Sequence, residues 1–377
     1  MPSAPLRGVT VIELGGIGPG PFAGMFLGEL GADVIRVDRP DGQSPFPGSP
    51  RDDLLNRGKR SITLDLKDPS GVGRVLELLD KADVLIEGFR PGVAERLGLG
   101  PDVCLVRNRR LVYGRMTGWG QDGPYSGQAG HDLTYIATTG VLHAIGEPAG
   151  PPVPPLNLIG DYGGGGMYLV VGVLAALREV ALTGRGQVVD AAIVDGVTHL
   201  MMGTYALMAA GSWTDQRGHN ELDGAAPYYG VYRAADGEYV AVAAAEPRFF
   251  ATLIRHLGVD FDLDLQQDRD CWPQLRELLA AAFARHPQRV WIERFAGTDA
   301  CVAPVWSIEQ AAEDPQLRAR GSLVRVNGVL QAAPAPRFSV SALTQPGPPP
   351  ELGQHNQEVL GSQVLRAVTD VTRDRAS

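Results

Sequence analysis

Three stretches of this sequence hold residues that could move a proton. In "QAGHDLTYIATTG" (128–140), His131 and Asp132 stand back to back between Gly130 and an apolar helical run. In "NLIGDYGGGGMYLVVGVLAAL" (157–177), Asp161 precedes four glycines and an apolar helix, and in "AAAEPRFF" (243–250) Glu246 stands just before Pro247. Each carboxylate also has a plain structural use: Asp132 and Asp161 can cap a helix, and Glu246 can begin one. The chemical alternative at 128–140 rests on two properties. A helix's first turn presents N–H groups that no intrahelical carbonyl accepts, and imidazole exchanges protons near neutral pH. A base beside an oxyanion-stabilising backbone is what removal of a proton next to a carbonyl requires.

Those residues need elements to hold them. "VTVIEL" (9–14), "DVIRVD" (33–38), "SITLDL" (61–66) and "DVLIEG" (83–88) read as strands, and "FAGMFLGELG" (22–31) and "PSGVGRVLELLDKA" (69–82) as helices. The alternation implies right-handed crossovers and a mostly parallel sheet, with ligands expected at the loops that follow the strands. One such loop, "GIGPGPFAG" (16–24), places Gly18, Gly20 and Ala23 in G-x-G-x-x-A spacing, with Asp38 about where a ribose-binding carboxylate would stand. Pro19 and Pro21 each remove an N–H that a pyrophosphate would need, so a turn that starts a tightly packed helix is preferred. Gly163–Gly166 lack the G-K-[S/T] ending of a P-loop and suit a helix interior poorly, at about 1 kcal/mol each against alanine. They imply a close approach to the backbone, by a flat or bulky ligand or by another chain.

Further along, "QVVDAAIVDG" (187–196) reads as a strand entering a helix that carries Met201, Met202 and Met208, either core filler or a surface suited to varied acyl chains. "YYGVYRA" and "EYVAVAA" form a hairpin across Asp236-Gly237, and the helices "RFFATLIRHLG" and "WPQLRELLAAAFA" follow. A large α/β domain is expected over 1–200, a connecting helix and linker over 201–225, a smaller α+β domain over 226–320, and a return segment and tail over 321–377. The tail is proline-rich from about 341, "NQEVL" within it is expected as a short helix, and its end "RDRAS" does not match the S-K-L address.

Composition limits the function classes. The chain has 377 residues, 44% of them hydrophobic and 20% charged, which is ordinary for a soluble globular protein of two domains. A net charge of −9 argues against a nucleic-acid surface, although a local basic pocket for an anion remains open. Three cysteines far apart and seven histidines without ligand spacing suggest neither a disulfide framework nor a metal site. Glycines and charges interrupt the apolar runs, and "MPSAPLRGVTVIEL" lacks the features of a secretory signal, so a cytoplasmic enzyme without a membrane span is expected.

"GADVIRVDRP", "NRGKRSITLDLK", "ADVLIEGFRPGVAERLGLG", "RMTGWGQDGPYSGQAGHDLTYIATTGVLHAIG", "PPLNLIGDYGGGGMYLVVGVLAAL", "GQVVDAAIVDG", "YVAVAAAEPRFF" and "PAPRFS" occur here in order. Together these blocks resemble the alpha-methylacyl-CoA racemases of the family III CoA-transferase superfamily, over about residues 5–340. The resemblance implies a doubly wound, Rossmann-like large domain with a smaller α+β domain, and an interlocked homodimer whose site lies between the large domain of one chain and the small domain of the other. It implies a 2-methylacyl-CoA substrate, interconverted between R and S epimers through an enolate, with CoA part of the substrate and no separate cofactor or metal. His131 and Asp161 would be the two bases, Glu246 would set the His131 tautomer, and Asp132 would orient the helix start that receives the enolate oxygen. CoA contacts would fall on Arg39, on Leu64, Asp65, Leu66 and Lys67, on Gly88, Phe89 and Arg90, on Arg96, and on Gly130, Leu133, Thr134 and Tyr135 within the 130–135 segment. The rival on the same fold is CoA transfer between carboxylic acids with Asp161 as nucleophile; the G-H-D triplet and Glu246 favour the racemase.

Overall fold

The protein is described here by a computed structural model covering residues 3–40, 47–343 and 345–361; the "RDRAS" end lies outside the described residues. The chain divides into two compact units, Met1–Thr139 with Pro155–Leu200 and Gly321–Ser377, and Gly140–Pro154 with Met201–Arg320.

The first unit begins with β1 (Thr10–Leu14), α1 (Pro19–Glu29), β2 (Asp33–Asp38), β3 (Arg60–Thr63), α2 (Pro69–Leu79) and β4 (Val84–Glu87). It continues through α3 (Val93–Arg96), α4 (Pro101–Arg107), β5 (Val112–Thr117), α5 (Asp132–Thr138), α6 (Met167–Thr183), β6 (Val188–Ala192) and α7 (Ile193–Leu200). Its six strands are parallel, in the order β3-β2-β1-β4-β5-β6. This is a doubly wound sheet, and its strand order reverses between β1 and β4, the place where such sheets bind ligands beyond their carboxyl ends. Val11, Ile12, Val84, Leu85 and Val112 are fully buried, as apolar runs on central parallel strands should be.

Several boundaries differ from the sequence expectation, α2 for example ending at Leu79 rather than at residue 82, and two have a clear physical reason. The first helix starts at Pro19 rather than at residue 22, because proline's fixed φ suits the first helical position and its missing N–H costs nothing there. Strand β3 ends at Thr63, and Leu64–Lys67 turns toward α2, with Asp65 accepting a hydrogen bond from the Lys67 N–H at 2.9 Å.

Ahead of α6, Leu158–Gly166 forms a π-helical stretch that continues into the α-helix. The glycine run is therefore helical, and its neighbours within the unit explain it without a ligand or a second chain. A Cβ at Gly164 would lie 2.5 Å from Val197 Cγ2, and one at Gly166 would lie 2.6 Å from Phe22 Cδ1. α7 and α1 approach the backbone too closely for any side chain. The whole stretch Leu158–Thr183 has the length and composition of a membrane-crossing helix even though glycines and charges interrupt it, but Leu169, Val170, Val173 and Ala176 are buried in this unit, which also holds the sheet.

The second unit contains α8 (Met202–Ala209), an antiparallel sheet of β7 (Tyr229–Arg233), β8 (Tyr239–Ala243) and β9 (Val302–Pro304), and helices α9 (Pro247–Leu257), α10 (Trp272–Phe283), α11 (Gln288–Phe295), α12 (Ile308–Ala311) and α13 (Pro315–Arg320). Trp291, Phe250, Phe283 and Tyr228 fill its core. Gly140–Pro154, inside the span expected for the large domain, clusters here because the Arg217 guanidinium donates to the carbonyls of His143, Glu147 and Gly150. Met202 and Met208 are exposed on α8, so they are not core filler in the single chain.

The return segment carries β10 (Leu323–Val326), β11 (Val329–Ala332) and α14 (Asn356–Leu360), the last as the sequence suggests. It clasps the edge strand β3. The Ser61 N–H donates to His355 Nδ1 at 3.0 Å and the Thr63 N–H to Asn356 Oδ1 at 2.8 Å, which satisfies an otherwise open sheet edge.

Candidate functional site

A cleft of about 690 Å³ opens in the first unit beyond the carboxyl ends of β1, β2, β4 and β5. Its lining includes the turn from Gly15 to Pro21, Arg39, the Gly88–Pro91 loop, Trp119, Gly130, His131, Tyr135 and Asp161. The sheet's reversal point and the suspected proton-moving residues thus coincide.

His131 is the N-cap of α5, in an extended conformation with φ −137° and ψ 169°. Its imidazole makes no capping hydrogen bond; Thr134 caps the helix start instead, accepting from the His131 N–H at 3.0 Å and donating to the His131 carbonyl at 2.7 Å. The histidine ring is thereby left to chemistry while its backbone is fixed. Asp132, 7% exposed, does not cap its own helix. Its Oδ1 accepts a hydrogen bond from the Asp161 N–H at 2.7 Å, joining the two stretches that the sequence offered separately. Gly160 makes that possible, since a Cβ there would lie 2.2 Å from Asp132 Oδ1.

Asp161 lies within the π-helical stretch rather than at its N-cap, which is Asn157. Asn157 Nδ2 donates to Asp161 Oδ2 at 3.2 Å. On the other side, Gly18 sits at φ +67°, and a Cβ on it would lie 3.0 Å from the same oxygen. Burial pushes the Asp161 carboxyl above the ordinary carboxylate range; the Asn157 hydrogen bond and the positive form of His131 oppose the shift, and the Asp132 charge adds to it. Two groups able to hold a proton therefore face one cleft, and a positive His131 would favour the ionised form of Asp161. A π-turn at such a place is a recurrent feature of functional sites.

The Gly15–Pro21 turn both starts a packed helix, with Gly20, Ala23, Gly24 and Leu27 buried, and lines the cleft. Asp38, expected about where a ribose-binding carboxylate would stand, is not part of the cleft lining, and Arg36 Nε donates to it at 2.8 Å.

Of the other expected contacts, Arg39, Gly88, Phe89, Arg90, Gly130 and Tyr135 line the cleft. Leu64, Asp65, Leu66, Lys67, Arg96, Leu133 and Thr134 are not part of its lining. Leu64 is core and Thr134 is occupied by the cap, while Asp65, Lys67, Arg96 and Leu133 are exposed. Glu246 belongs to the second unit, where it is the exposed N-cap of α9. The Tyr135 ring is held between Gly118 and Gly130, where added Cβ atoms would come within 2.0 and 2.4 Å of it, and Trp119 packs edge-on at 4.8 Å. Burial raises the Tyr135 hydroxyl's pKa, with the Asp161 charge adding to the shift and Arg90 opposing it.

Sequence reasoning missed Asn157, Gly160, Trp119 and the second role of Gly18. Asn157 stands four residues before Asp161, a helical spacing that would have flagged the pair had the glycine run been read as helical.

A six-stranded doubly wound sheet with this cleft at its reversal point defines the class, and the sequence matches the CoA-transferase family III pattern over residues 6–356: the chain belongs to that family. Among its relatives, the alpha-methylacyl-CoA racemase of Mus musculus is 43% identical over 358 residues, covering 94% of this chain and 92% of that protein. The alpha-methylacyl-CoA racemase of Homo sapiens is 41% identical over 362 residues, with the same coverage of 94% and 92%. The crystal structure of a CAIB/BAIF family protein from Brucella suis superposes with a TM-score of 0.78 at 28% identity, covering 98% of this chain and 100% of that one.

Proposed function

We propose that the protein is a racemase that interconverts (R)- and (S)-2-methylacyl-CoA thioesters. The observation that carries this reading is the presence of His131 and the partly buried Asp161 on one cleft, each able to hold or release a proton. One of them takes the proton alpha to the thioester, and the C–H electron pair moves into an enolate whose oxygen gains the charge. The other, protonated, delivers its proton to the opposite face of the planar carbon. Two groups are needed because a single base on one face would return the proton where it came from.

A positioned base contributes roughly 10²–10⁴ in rate, which is too little for so weak a carbon acid. The N–H of Asp132, the first residue of α5 beside His131, is the proposed receiver of the enolate oxygen, since those of Thr134 and Tyr135 are taken by the His131 carbonyl; removing one such donor costs about 10²–10³ in other enzymes. Arg39 and Arg90 on the cleft are suited to the CoA phosphates in a chain of net charge −9. CoA is part of the substrate, so the reaction calls for no added cofactor.

The proposal includes an interlocked homodimer in which Glu246 of a second copy reaches His131 and fixes its tautomer. Support comes from α8, an apolar helix with no buried residue in the single chain.

The test is deuterium uptake at the alpha carbon of (S)-2-methylacyl-CoA in D₂O with no other acid present, followed by NMR. Exchange with formation of the R epimer, lost in His131→Ala, is the expected result. A folded, CoA-binding protein that shows no exchange and instead moves CoA to an added carboxylic acid would overturn it in favour of transfer with Asp161 as nucleophile.

A further inference from the structure

Behind the Gly88–Pro91 loop lies a buried charge network that the reaction does not use. Glu87, the last residue of β4, is 0% exposed and Arg115 of β5 is 7% exposed. Glu87 Oε2 accepts a hydrogen bond from the Phe89 N–H at 2.7 Å, while Arg115 Nε donates to Glu87 Oε1 at 2.8 Å. The same guanidinium reaches across the loop, with Nη1 2.8 Å from Glu95 Oε1 on α3, the helix into which the loop runs. A single cation therefore grips both ends of the segment that carries Phe89 and Arg90 to the cleft. The arrangement is costly, since Arg115 Nη2 is buried without a partner among the described residues and burial raises the Glu87 carboxyl's pKa against the pull of Phe89 N–H and Arg115. A cost of this kind, placed under a cleft loop rather than in the middle of the sheet, calls for a return in function.

We propose that Arg115, Glu87 and Glu95 form a staple that fixes the Gly88–Pro91 loop, so that Arg90 is held ready for the phosphate-bearing end of the substrate. These are positioning residues: none lines the cleft. The inference rests on the reading of the substrate as a CoA thioester. It predicts a division that a merely structural network would not produce. Loosening the loop weakens capture of the phosphates and leaves the reacting end, between His131 and Asp161, untouched.

The experiment compares Glu87→Gln and Glu95→Gln with the unaltered protein by two readouts. The first is amide hydrogen exchange of the segment around Phe89. The second is kcat and KM for a 2-methylacyl-CoA and for the matching pantetheine thioester, which has no phosphates. Replacing Arg115 would strand the buried Glu87 charge and risks the fold, whereas Glu95 is half exposed and its replacement leaves the buried pair intact. Glu87→Gln is expected to speed exchange around Phe89 and to raise KM for the CoA thioester by about tenfold or more. For Glu95→Gln the expected rise is roughly threefold to fivefold. In both, kcat and the pantetheine KM stay near the unaltered values. Unchanged exchange in both variants, or a KM that rises equally for the two thioesters, would overturn the staple. Should the unaltered protein handle the two thioesters alike, the CoA-phosphate reading fails, and the exchange rates alone decide whether the loop is stapled.

Discussion

The Asp161 carboxyl titrates above the ordinary carboxylate range chiefly because burial penalises its charge, and that shift has a stability consequence. A group whose pKa is higher folded than unfolded stabilises the fold at pH below its unfolded value. That contribution is lost as pH rises through the folded value, so at neutral pH the ionised Asp161 is a net cost. Asp161→Asn should therefore raise Tm by about 1–3 °C at neutral pH, shrinking toward zero in acid, while racemisation is lost. Differential scanning fluorimetry across pH checks this, and a lower Tm for the variant at neutral pH would contradict it. Gly160 offers a second residue-level test. Gly160→Ala pushes a methyl into Asp132 Oδ1, breaks its bond to the Asp161 N–H and should cut turnover by about 10². Steady-state assay with a folding control measures that loss. His131 beside Asp132 was legible in the sequence as a helix start, but their division of labour was not. Asp132 serves the Asp161 backbone, a contact between positions 29 apart that no local pattern encodes.

At the scale of elements, the parallel strands were readable because buried apolar runs bounded by glycine and charge have few other homes. β2 came out at its expected bounds, Asp33–Asp38, and α14 at "NQEVL". The glycine run was misjudged for a definable reason. Helix propensity charges each glycine about 1 kcal/mol, whereas Gly164 and Gly166 sit where α7 and α1 leave no room for a Cβ, so packing outweighs propensity. Gly164→Ala should accordingly destabilise rather than stabilise, by about 1–3 kcal/mol in urea unfolding, and should also lower activity because the stretch carries Asp161. A gain in stability would show that α7 can retreat. The start of α1 is pinned by Lys59, whose Nζ lies 2.7 Å from Glu13 Oε2 and 2.9 Å from the Pro21 carbonyl in full burial. "GKRSITLDL" gave no hint of it, because a lysine within a charged run reads as solvated.

For the whole molecule, the proposed dimer makes a prediction that no single-chain arrangement shares. Where His131 of one chain works with Glu246 of the other, co-expressing His131→Ala and Glu246→Ala chains yields mixed dimers with one complete site out of two. About a quarter of the unaltered activity should return to the mixed population, while each variant alone stays low. Co-expressed chains no more active than the separate variants would place both groups in one chain or remove Glu246 from the mechanism. Sequence composition could not reveal such a requirement, since α8 reads equally well as core or as interface until its exposure is known.

The most direct test of the two-base claim is alpha-proton exchange in D₂O for each epimer separately, in His131→Ala and in Asp161→Asn. The account predicts that each variant exchanges one epimer without inverting it and leaves the other inert, and that the two variants have opposite preferences. Loss of exchange from both epimers in one variant, with full racemisation persisting in the other, would contradict it and leave a single residue moving the proton on both faces.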